Sequence, residues 1–219
     1  MSMADRLLDA LARSAASLYG GEAVSELEHA LQAADLAREA GADEELQLAC
    51  LLHDVGRYAV DRSLIYDTTD PPRPEHGTPA ASTKVTTVPG GSVVPRPKAR
   101  GHHEIGAELI APWVPERAAW CVRMHADAKR YLCATEPDYF DRLSAASRHT
   151  LRLQGGVMAP DEVARLAGHR WLEDALALRR WDDQAKVVGK PTPPLTAWTP
   201  LLRRYFDRSG ASGEDEWRS

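Results

Sequence analysis

The sequence has only three cysteines among its 219 residues, and none has the spacing of a metal ligand. Cys50, Cys121 and Cys133 lie in apolar segments, so we expect them to be small buried hydrophobic residues. This scarcity of cysteine excludes a disulfide framework and favours a reducing compartment. We therefore expect a cytoplasmic protein.

The chain also lacks a long apolar run. No segment approaches the roughly 20 apolar residues that a membrane-spanning helix needs. The amphipathic N-terminal segment MSMADRLLDALARSAASLY contains Asp and Arg. It lacks the long apolar stretch and the cleavage signal of a secretory peptide. These absences predict that no membrane is a partner of the protein.

Neither sign of charge dominates the composition. The formal net charge is −5, with 27% charged and 43% hydrophobic residues, which is ordinary for a globular protein. This balance gives no electrostatic reason to expect a nucleic-acid partner. A small anionic substrate is compatible with it, because basic residues near a site matter more than the total charge.

The spacing of the apolar residues predicts an all-α protein. Sustained strand alternation is absent, and the length suits a single domain. Ser25 and Glu28 form a predicted capping box for a helix that ends before Gly41. Predicted helices cover residues 3–19, 25–40, 43–58, 102–110, 115–129, 160–169 and 171–186.

Residues 61–101 differ from the rest of the chain. They are rich in Pro, Thr, Ser and Gly, and we predict no regular structure there. Segments this long without regular structure are usually functional or disordered, so a lid, an oligomer contact and disorder all stay open. The tail at 208–219 is expected to be disordered.

Histidine and aspartate recur along the helical sequence in the order H…HD…H…H…D. Neutral imidazoles bind first-row transition metals, so iron, zinc, manganese, cobalt and nickel are candidates. Six ligands would saturate one octahedral ion, whereas two ions sharing them would keep open positions. Asp54 is the expected bridge, because a carboxylate has two oxygens. The candidate ligands are His29, His53, Asp54, His102, His125 and Asp182.

These ligands are not equally specific signals. His53 and Asp54 follow the apolar run LACLL, where burial of charge is costly without a partner or a metal. His29 on its own also fits a hydrogen-bonded core histidine. His102 and Asp182 each have a neighbour of the same type, which leaves the choice within each pair open. The joint occurrence of all six predicts a metal site.

Basic residues cluster near these ligands in the sequence, although each one alone also fits a solvated helix face. Arg57 lies one helical turn after His53 and should project toward the same site. Cationic side chains beside a metal centre suit a phosphate-like or carboxylate group. The cluster consists of Arg57, Lys129, Arg179, Arg180 and Lys186.

Several stretches resemble the HD-domain superfamily and, within it, the proteins associated with phosphonate degradation. This branch includes mixed-valent diiron oxygenases that cleave the C–P bond of 1-hydroxyphosphonates, and it is related to the inositol oxygenases. The resemblance implies a single HD-domain helical bundle over residues 1–207, with 61–101 as a long loop insertion. The stretches are LYGGEAVSELEHALQAA, CLLHDVG, HHEIGAELIAPWVP, MHADAKRYLCATEPDYFDRLSAAS, LQGGVM and ALRRWDDQAKV.

The resemblance also implies roles for individual residues. Two irons, Fe(II) and Fe(III), would share the six ligands with Asp54 as the bridge, and O2 would be the co-substrate. Tyr19 stands where the oxygenases have a tyrosine that occupies an iron position until substrate arrives. Glu22 falls where the amine of an aminoethyl substrate is bound. The implied phosphonate contacts are Lys129, Ser147 and Arg179.

The implied substrate is a small organophosphonate. Examples are 1-hydroxy-2-aminoethylphosphonate and its trimethylammonium analogue, and the implied products are a carboxylate and inorganic phosphate. Two features depart from the family pattern. Arg57 replaces a histidine that often helps to bind phosphonate, and arginine could bind the same oxygens bidentately. The 61–101 segment is also longer than the usual connection.

Two other functions stay open. A metal-dependent HD phosphohydrolase would act on a phosphate ester or nucleotide with the same ligands. A non-catalytic HD module would bind metal for regulation, although such a module need not keep all six ligands. Oxygen uptake distinguishes the oxygenase from both alternatives.

Overall fold

The structure is a computed structural model that describes residues 1–58 and 100–207. The predicted insertion at 61–101 lies outside the described residues except for its last two positions. The predicted tail at 208–219 also lies outside them. Both remain predictions.

The described part of the chain is helical throughout. It contains no strand, and its one isolated β-bridge joins Leu18 to Ser25. The prediction of an all-α fold is therefore confirmed. The α-helices are α1 (Met3–Ser14), α2 (Glu26–Glu39), α3 (Glu44–Leu52), α4 (Val55–Tyr58), α5 (His102–Ile110), α6 (Glu116–Thr135), α7 (Tyr139–Arg142), α8 (Ala145–Leu153), α9 (Pro160–Leu166), α10 (Leu172–Gln184) and α11 (Thr199–Phe206), with a 3-10 turn at Leu195–Trp198 before the last.

The start of α2 follows the sequence prediction. Ser25 accepts a hydrogen bond from the backbone of Glu28, and the Glu28 carboxylate accepts one from the backbone of Ser25. This capping box satisfies two N–H groups that a helix start leaves open. It also fixes the first turn of the helix that carries His29.

Three predicted helices were wrong at their ends. Helix α6 continues to Thr135 instead of ending at residue 129. The first helix stops at Ser14 instead of residue 19, and Tyr19 therefore lies in the turn that follows. The predicted helix at 43–58 is broken after Leu52. The imidazole of His53 donates to the Cys50 carbonyl at 2.7 Å, a local contact that competes with the helical hydrogen bonds of this turn. The break turns His53 and Asp54 into the interior.

Helix α6 is the central element, and it packs against α3, α5 and α10. Helix α2 packs against α3 and α10 and completes the bundle around the same interior. The apolar run Leu48–Leu52 of α3 is fully buried, as its composition predicted. The bundle thus brings α2, α5, α6, α10 and the α3–α4 junction around one point. Within the described ranges, no helix has the length and apolarity needed to cross a bilayer.

Two glycines let α4 and α5 approach closely. A methyl group on Gly56 would lie 2.0 Å from the backbone oxygen of His102 and 2.7 Å from the backbone nitrogen of Gly106. A methyl group on Gly106 would in turn lie 3.1 Å from the backbone nitrogen of Gly56. Only glycine fits this contact without moving backbone. The contact places the first residue of α5 beside Asp54.

Candidate metal centre

All six candidate ligands meet at the middle of the bundle. They form two groups, and within each group the ligand atoms lie within 4.8 Å of one another. Helices α2, α5, α6 and α10 contribute one ligand each, and the junction between α3 and α4 contributes two adjacent ligands. The first group is His29, His53 and Asp182, and the second is Asp54, His102 and His125.

The backbone fixes the orientation of three of the four imidazoles. The Nδ1 atoms of His29, His53 and His125 each lie 2.7 Å from a carbonyl oxygen, of Ala185, Cys50 and Val122 respectively. A carbonyl only accepts, so each Nδ1 carries the proton and donates it. Each Nε2 then points inward, toward the other ligands. This is the second-shell arrangement that orients metal-binding histidines in proteins.

The inward nitrogens face each other in pairs. Nε2 of His29 lies 3.1 Å from Nε2 of His53, and Nε2 of His102 lies 3.2 Å from Nε2 of His125. Two lone pairs at this separation repel unless a proton or a metal cation stands between them. The first-row transition metals bind neutral imidazole nitrogens, so each pair fits a metal ion.

Asp54 lies between the two groups. One oxygen, Oδ1, is 2.9 Å from Nε2 of His102 and 3.7 Å from Nε2 of His125. The other, Oδ2, is 3.4 Å from Nε2 of His53 and 3.9 Å from Nε2 of His29. Both oxygens are buried without a hydrogen bond of acceptable geometry. A buried carboxylate without hydrogen-bond donors needs cations to stabilise it. One oxygen of Asp54 lies beside each ligand group.

The charges of the site favour bound cations. The pKa of Asp54 lies well below its usual value, because His53 and His102 outweigh the opposing effect of burial. Burial opposes a rise for His53 as well, but Asp54 and Asp182 raise its pKa to about 9. Burial instead holds the pKa of His125 well below its usual value. His125 is therefore a neutral imidazole that is ready to bind a metal.

A tight turn between α1 and α2 carries two further predicted site residues, Tyr19 and Glu22. Gly20 and Gly21 have φ values of +46° and +91°, which glycine adopts readily. The ring of Tyr19 stacks on His29 with centroids 3.7 Å apart, and its hydroxyl donates to Asp182 Oδ1 at 3.4 Å. Burial, Asp182 and Asp54 raise the pKa of Tyr19 well above its usual value. The phenol is therefore protonated beside the first group.

A polar cavity opens from the two groups toward the surface. Tyr19 and all five predicted substrate-binding residues line it, so the structure brings together what the sequence scattered over 160 positions. The described residues that line it are Tyr19, Gly20, Glu22, Arg57, His102, His125, Lys129, Ala146, Ser147, Thr150, Gln154, Arg179 and Asp182.

Two of the cations in this cavity are almost fully buried. Lys129 of α6 donates to the Thr150 hydroxyl at 2.8 Å. Burial, followed by the neighbouring Arg179, lowers the pKa of Lys129 to about 8. Arg179 of α10 donates to Asp182 Oδ2 at 2.6 Å. Arg179 also donates to the carboxylate of Asp183, so its guanidinium is held between two carboxylates. Buried groups with shifted pKa values beside a cavity are typical of functional sites.

Arg57 reaches the cavity with part of its guanidinium engaged elsewhere. Its Nε donates to the buried carboxylate of Glu26 at 2.9 Å. Its Cζ lies 5.0 Å from the centroid of the Tyr19 ring. Arg57 is also among the residues that line the cavity. Arg57 is thus anchored by Glu26, a partner that the sequence did not indicate.

Ser147 and Glu22 also line the cavity. Ser147 is buried near the start of α8, and its hydroxyl accepts a hydrogen bond from Lys186 Nζ at 2.9 Å. Glu22 accepts one from the Ser144 hydroxyl at 2.5 Å. Lys186 belongs to the cluster of basic residues that the sequence places near the ligands. Its contact with Ser147 joins distant parts of the chain, so sequence spacing could not predict it. Arg180, from the same cluster, instead pairs with Glu136.

Comparison with known proteins agrees with this geometry. The protein-family model of the HD domain matches residues 27–167, which is more than half of the chain. The match includes every candidate ligand except Asp182. The chain belongs to the HD-domain family.

The HD-domain chain also has relatives that are named as enzymes. It is 35% identical over 192 residues to the [1-hydroxy-2-(trimethylamino)ethyl]phosphonate dioxygenase (glycine-betaine-forming) of Leisingera caerulea, covering 87% of this chain and 83% of that protein. It is 36% identical over 188 residues to the hydroxymethylphosphonate dioxygenase of Gimesia maris, covering 86% and 81%. An uncharacterized protein of Acanthamoeba polyphaga mimivirus is 32% identical over 193 residues, covering 87% and 76%. This HD-domain chain is therefore an enzyme of the oxygenase type.

Proposed function

We propose that the protein is an O2-dependent oxygenase that cleaves the C–P bond of a 1-hydroxyphosphonate. The observation that carries this proposal is the pair of ligand groups around Asp54, which adjoins a cavity lined by buried cations. The printed names of the two dioxygenase relatives support the same substrate class. The experiment below distinguishes this function from the two alternatives, a phosphohydrolase and a non-catalytic regulatory module.

The overall reaction balances without an external reductant. A substrate R–CH(OH)–PO3 with two negative charges and one O2 give R–COO⁻ and H2PO4⁻. The carbon loses its bonds to phosphorus and to hydrogen and supplies four electrons, which reduce O2. The relative that forms glycine betaine from a trimethylaminoethyl phosphonate is named for a product of this kind.

Two iron ions are the proposed cofactor. His29, His53 and Asp182 would hold one ion, His102 and His125 would hold the other, and Asp54 would bridge them. Zinc offers no redox chemistry, whereas reaction with O2 requires it. When bound, the irons would supply the binding and reduction of O2 and a Lewis-acidic position for the substrate hydroxyl.

The chain's own residues would bind and orient the phosphonate. The cations of Lys129, Arg179 and Arg57 neutralise its charge, and Ser147 can donate a hydrogen bond to it. Hydrogen bonds to charged groups contribute about 1.5–3 kcal/mol each. Tyr19 would cover the first ligand group until the substrate hydroxyl replaces it. Five of the six ligands are buried, which would limit the access of water to the reacting carbon.

The test uses anaerobically purified protein loaded with iron. Oxygen uptake and phosphate release are measured with hydroxymethylphosphonate and with each enantiomer of [1-hydroxy-2-(trimethylamino)ethyl]phosphonate. We expect one O2 consumed per phosphate released, at two irons per chain. The Asp54→Asn variant should lose both metal and turnover.

A different result would redirect the assignment. Hydrolysis of a phosphate ester without O2, and no uptake with any hydroxyphosphonate, would favour the phosphohydrolase. Neither activity at two irons per chain would favour the regulatory module.

A further inference from the structure

The two named relatives do not decide which 1-hydroxyphosphonate this chain uses. One acts on a substrate with a trimethylamino group and the other on hydroxymethylphosphonate, and the identities to them are 35% and 36%. These substrates differ in the group attached to C1, which is cationic in one and only hydrogen in the other. The choice therefore depends on whether the cavity can bind a cation.

A carboxylate is the first feature that could bind such a cation. Among the described residues that line the cavity, Glu22 and Asp182 are the acidic ones. Asp182 belongs to the first ligand group and already accepts from Arg179. Glu22 is thus the carboxylate left for a substrate. However, its Oε1 lies 4.0 Å from the ammonium of Lys186.

Lys186 is held in this position by the surrounding protein. Its side chain is only 11% exposed. The ammonium donates to the Ser147 hydroxyl at 2.9 Å and lies 3.5 Å from Asp183 Oδ1. Its neighbour Ala185 is fixed by the hydrogen bond from His29. The ammonium is therefore held by protein partners against two residues that line the cavity, Ser147 and Glu22, and does not depend on solvent for its partners.

An aromatic face is the second feature that binds quaternary ammonium groups. Tyr19 is the aromatic residue among the described lining of the cavity, apart from the imidazoles. One face of its ring is covered by His29 at 3.7 Å. The protein's own cations already lie near it, with Arg57 at 5.0 Å and Lys186 at 5.8 Å from the ring centroid. No free aromatic cage is present in this described lining.

We propose that Lys186 is a specificity-determining residue that excludes substrates with a cationic group next to C1. This inference rests on the proposed function. The ammonium of Lys186 takes the place that a substrate cation would occupy on Glu22 and against Tyr19. The chain then acts on a 1-hydroxyphosphonate whose C1 substituent is uncharged or absent, as in hydroxymethylphosphonate. A second cation so close would lower affinity at least about tenfold by repulsion.

The experiment separates the charge of the substituent from its size. Three substrates are compared: hydroxymethylphosphonate, [1-hydroxy-2-(trimethylamino)ethyl]phosphonate and its uncharged isostere (1-hydroxy-3,3-dimethylbutyl)phosphonate. Oxygen uptake gives kcat/KM, and anaerobic calorimetry gives the dissociation constant of each without turnover. The proteins are iron-loaded wild type, Lys186→Met and Lys186→Arg. Lys190→Met is the matched control, since Lys190 lies four positions later in the sequence, outside α10, and the described contacts of Glu22, Ser147 and Tyr19 do not include it.

Wild type should favour the isostere over the cationic substrate at least tenfold in both measurements. Lys186→Met should reverse or abolish that ratio, whereas Lys186→Arg and Lys190→Met should keep it. Because Lys186→Met also releases the Ser147 hydroxyl, the ratio is the readout and the absolute rate is not.

Three results would overturn the proposal. The first is a wild type that accepts the trimethylammonium substrate as well as its isostere. The second is a Lys186→Met ratio equal to that of Lys190→Met. The third is rejection of both large substrates alike in every variant, which would assign the selection to size. Absence of turnover with all three substrates at two irons per chain would instead reject the proposed function, and this inference with it.

Discussion

The contact between α4 and α5 should control the second ligand group. Substitution of Gly56 by alanine would place a methyl group 2.0 Å from the backbone oxygen of His102, where ordinary contact begins at 3.4 Å. The start of α5 would have to retreat by roughly 1.4 Å to restore ordinary contact. His102 is the first residue of that helix, so its imidazole would move away from Asp54.

The expected effects can be measured separately. Overpacking of this kind costs about 1–3 kcal/mol of the free energy of unfolding. For a chain of this length each kcal/mol lowers Tm by roughly 2–4 °C. Iron content should fall from two toward one per chain, since only the second group is displaced. A 1 Å misplacement near a reacting centre costs about 100-fold in rate, which oxygen uptake would report.

Two other glycines supply a graded control. A methyl group on Gly106 has its nearest neighbours at 3.1 Å, so Gly106→Ala should show a milder loss of iron and rate. A methyl group on Gly168 meets nothing within 4 Å, so Gly168→Ala should match wild type. If Gly56→Ala kept two irons and full oxygen uptake, the close α4–α5 approach would not be what positions His102, and this reasoning would be refuted.

Three further predictions concern binding and stability. Lys129 is charged below its pKa of about 8 and neutral above it, so KM for the phosphonate should rise between about pH 7 and pH 9; Lys129→Arg should flatten this profile, and an equal rise in that variant would contradict it. Arg179→Ala removes the cation that pairs with Oδ2 of the buried Asp182 and with Asp183, and urea unfolding should show a loss of about 3–5 kcal/mol; a loss below about 1 kcal/mol would show that these pairs contribute little. Ser25→Ala removes the cap of α2 and should cost about 1 kcal/mol in the same assay; because Ser25→Asp retains an acceptor, an equal loss there would argue against the cap.

The helical framework could be predicted from the sequence, because it follows from local pattern. The ligand positions came from the resemblance, since the sequence alone left the choices between His102 and His103 and between Asp182 and Asp183 open. Ser25 caps α2 as predicted, and the spacing of His29 within that helix turns it inward with the apolar face. The end of α1 could not be predicted in this way. Residues after Ser14 continue a helical pattern, and the chain leaves the helix only because the turn carrying Tyr19 returns to α2.

The partners of the charged residues could not be predicted, because they join distant parts of the chain. Arg57 was expected to face substrate, and nothing in its spacing indicated that Glu26 would bind its Nε. Lys186 follows the last ligand helix, but its contact with Glu22 crosses 164 positions of sequence. Helical periodicity determines which residues share a face. It does not determine which charged residue of another part of the chain contacts them.

Asp182 shows how the metal site and the substrate cavity are joined. Its two oxygens have different partners, because Oδ1 lies 3.3 Å from Nε2 of His29 while Oδ2 accepts from Arg179 at 2.6 Å. Arg179 and burial act on its pKa in opposite directions, and the pKa stays well below its usual value. The carboxylate therefore remains charged toward the ligand group. Because Arg179 also lines the cavity, one buried side chain joins the first ligand group to the cavity.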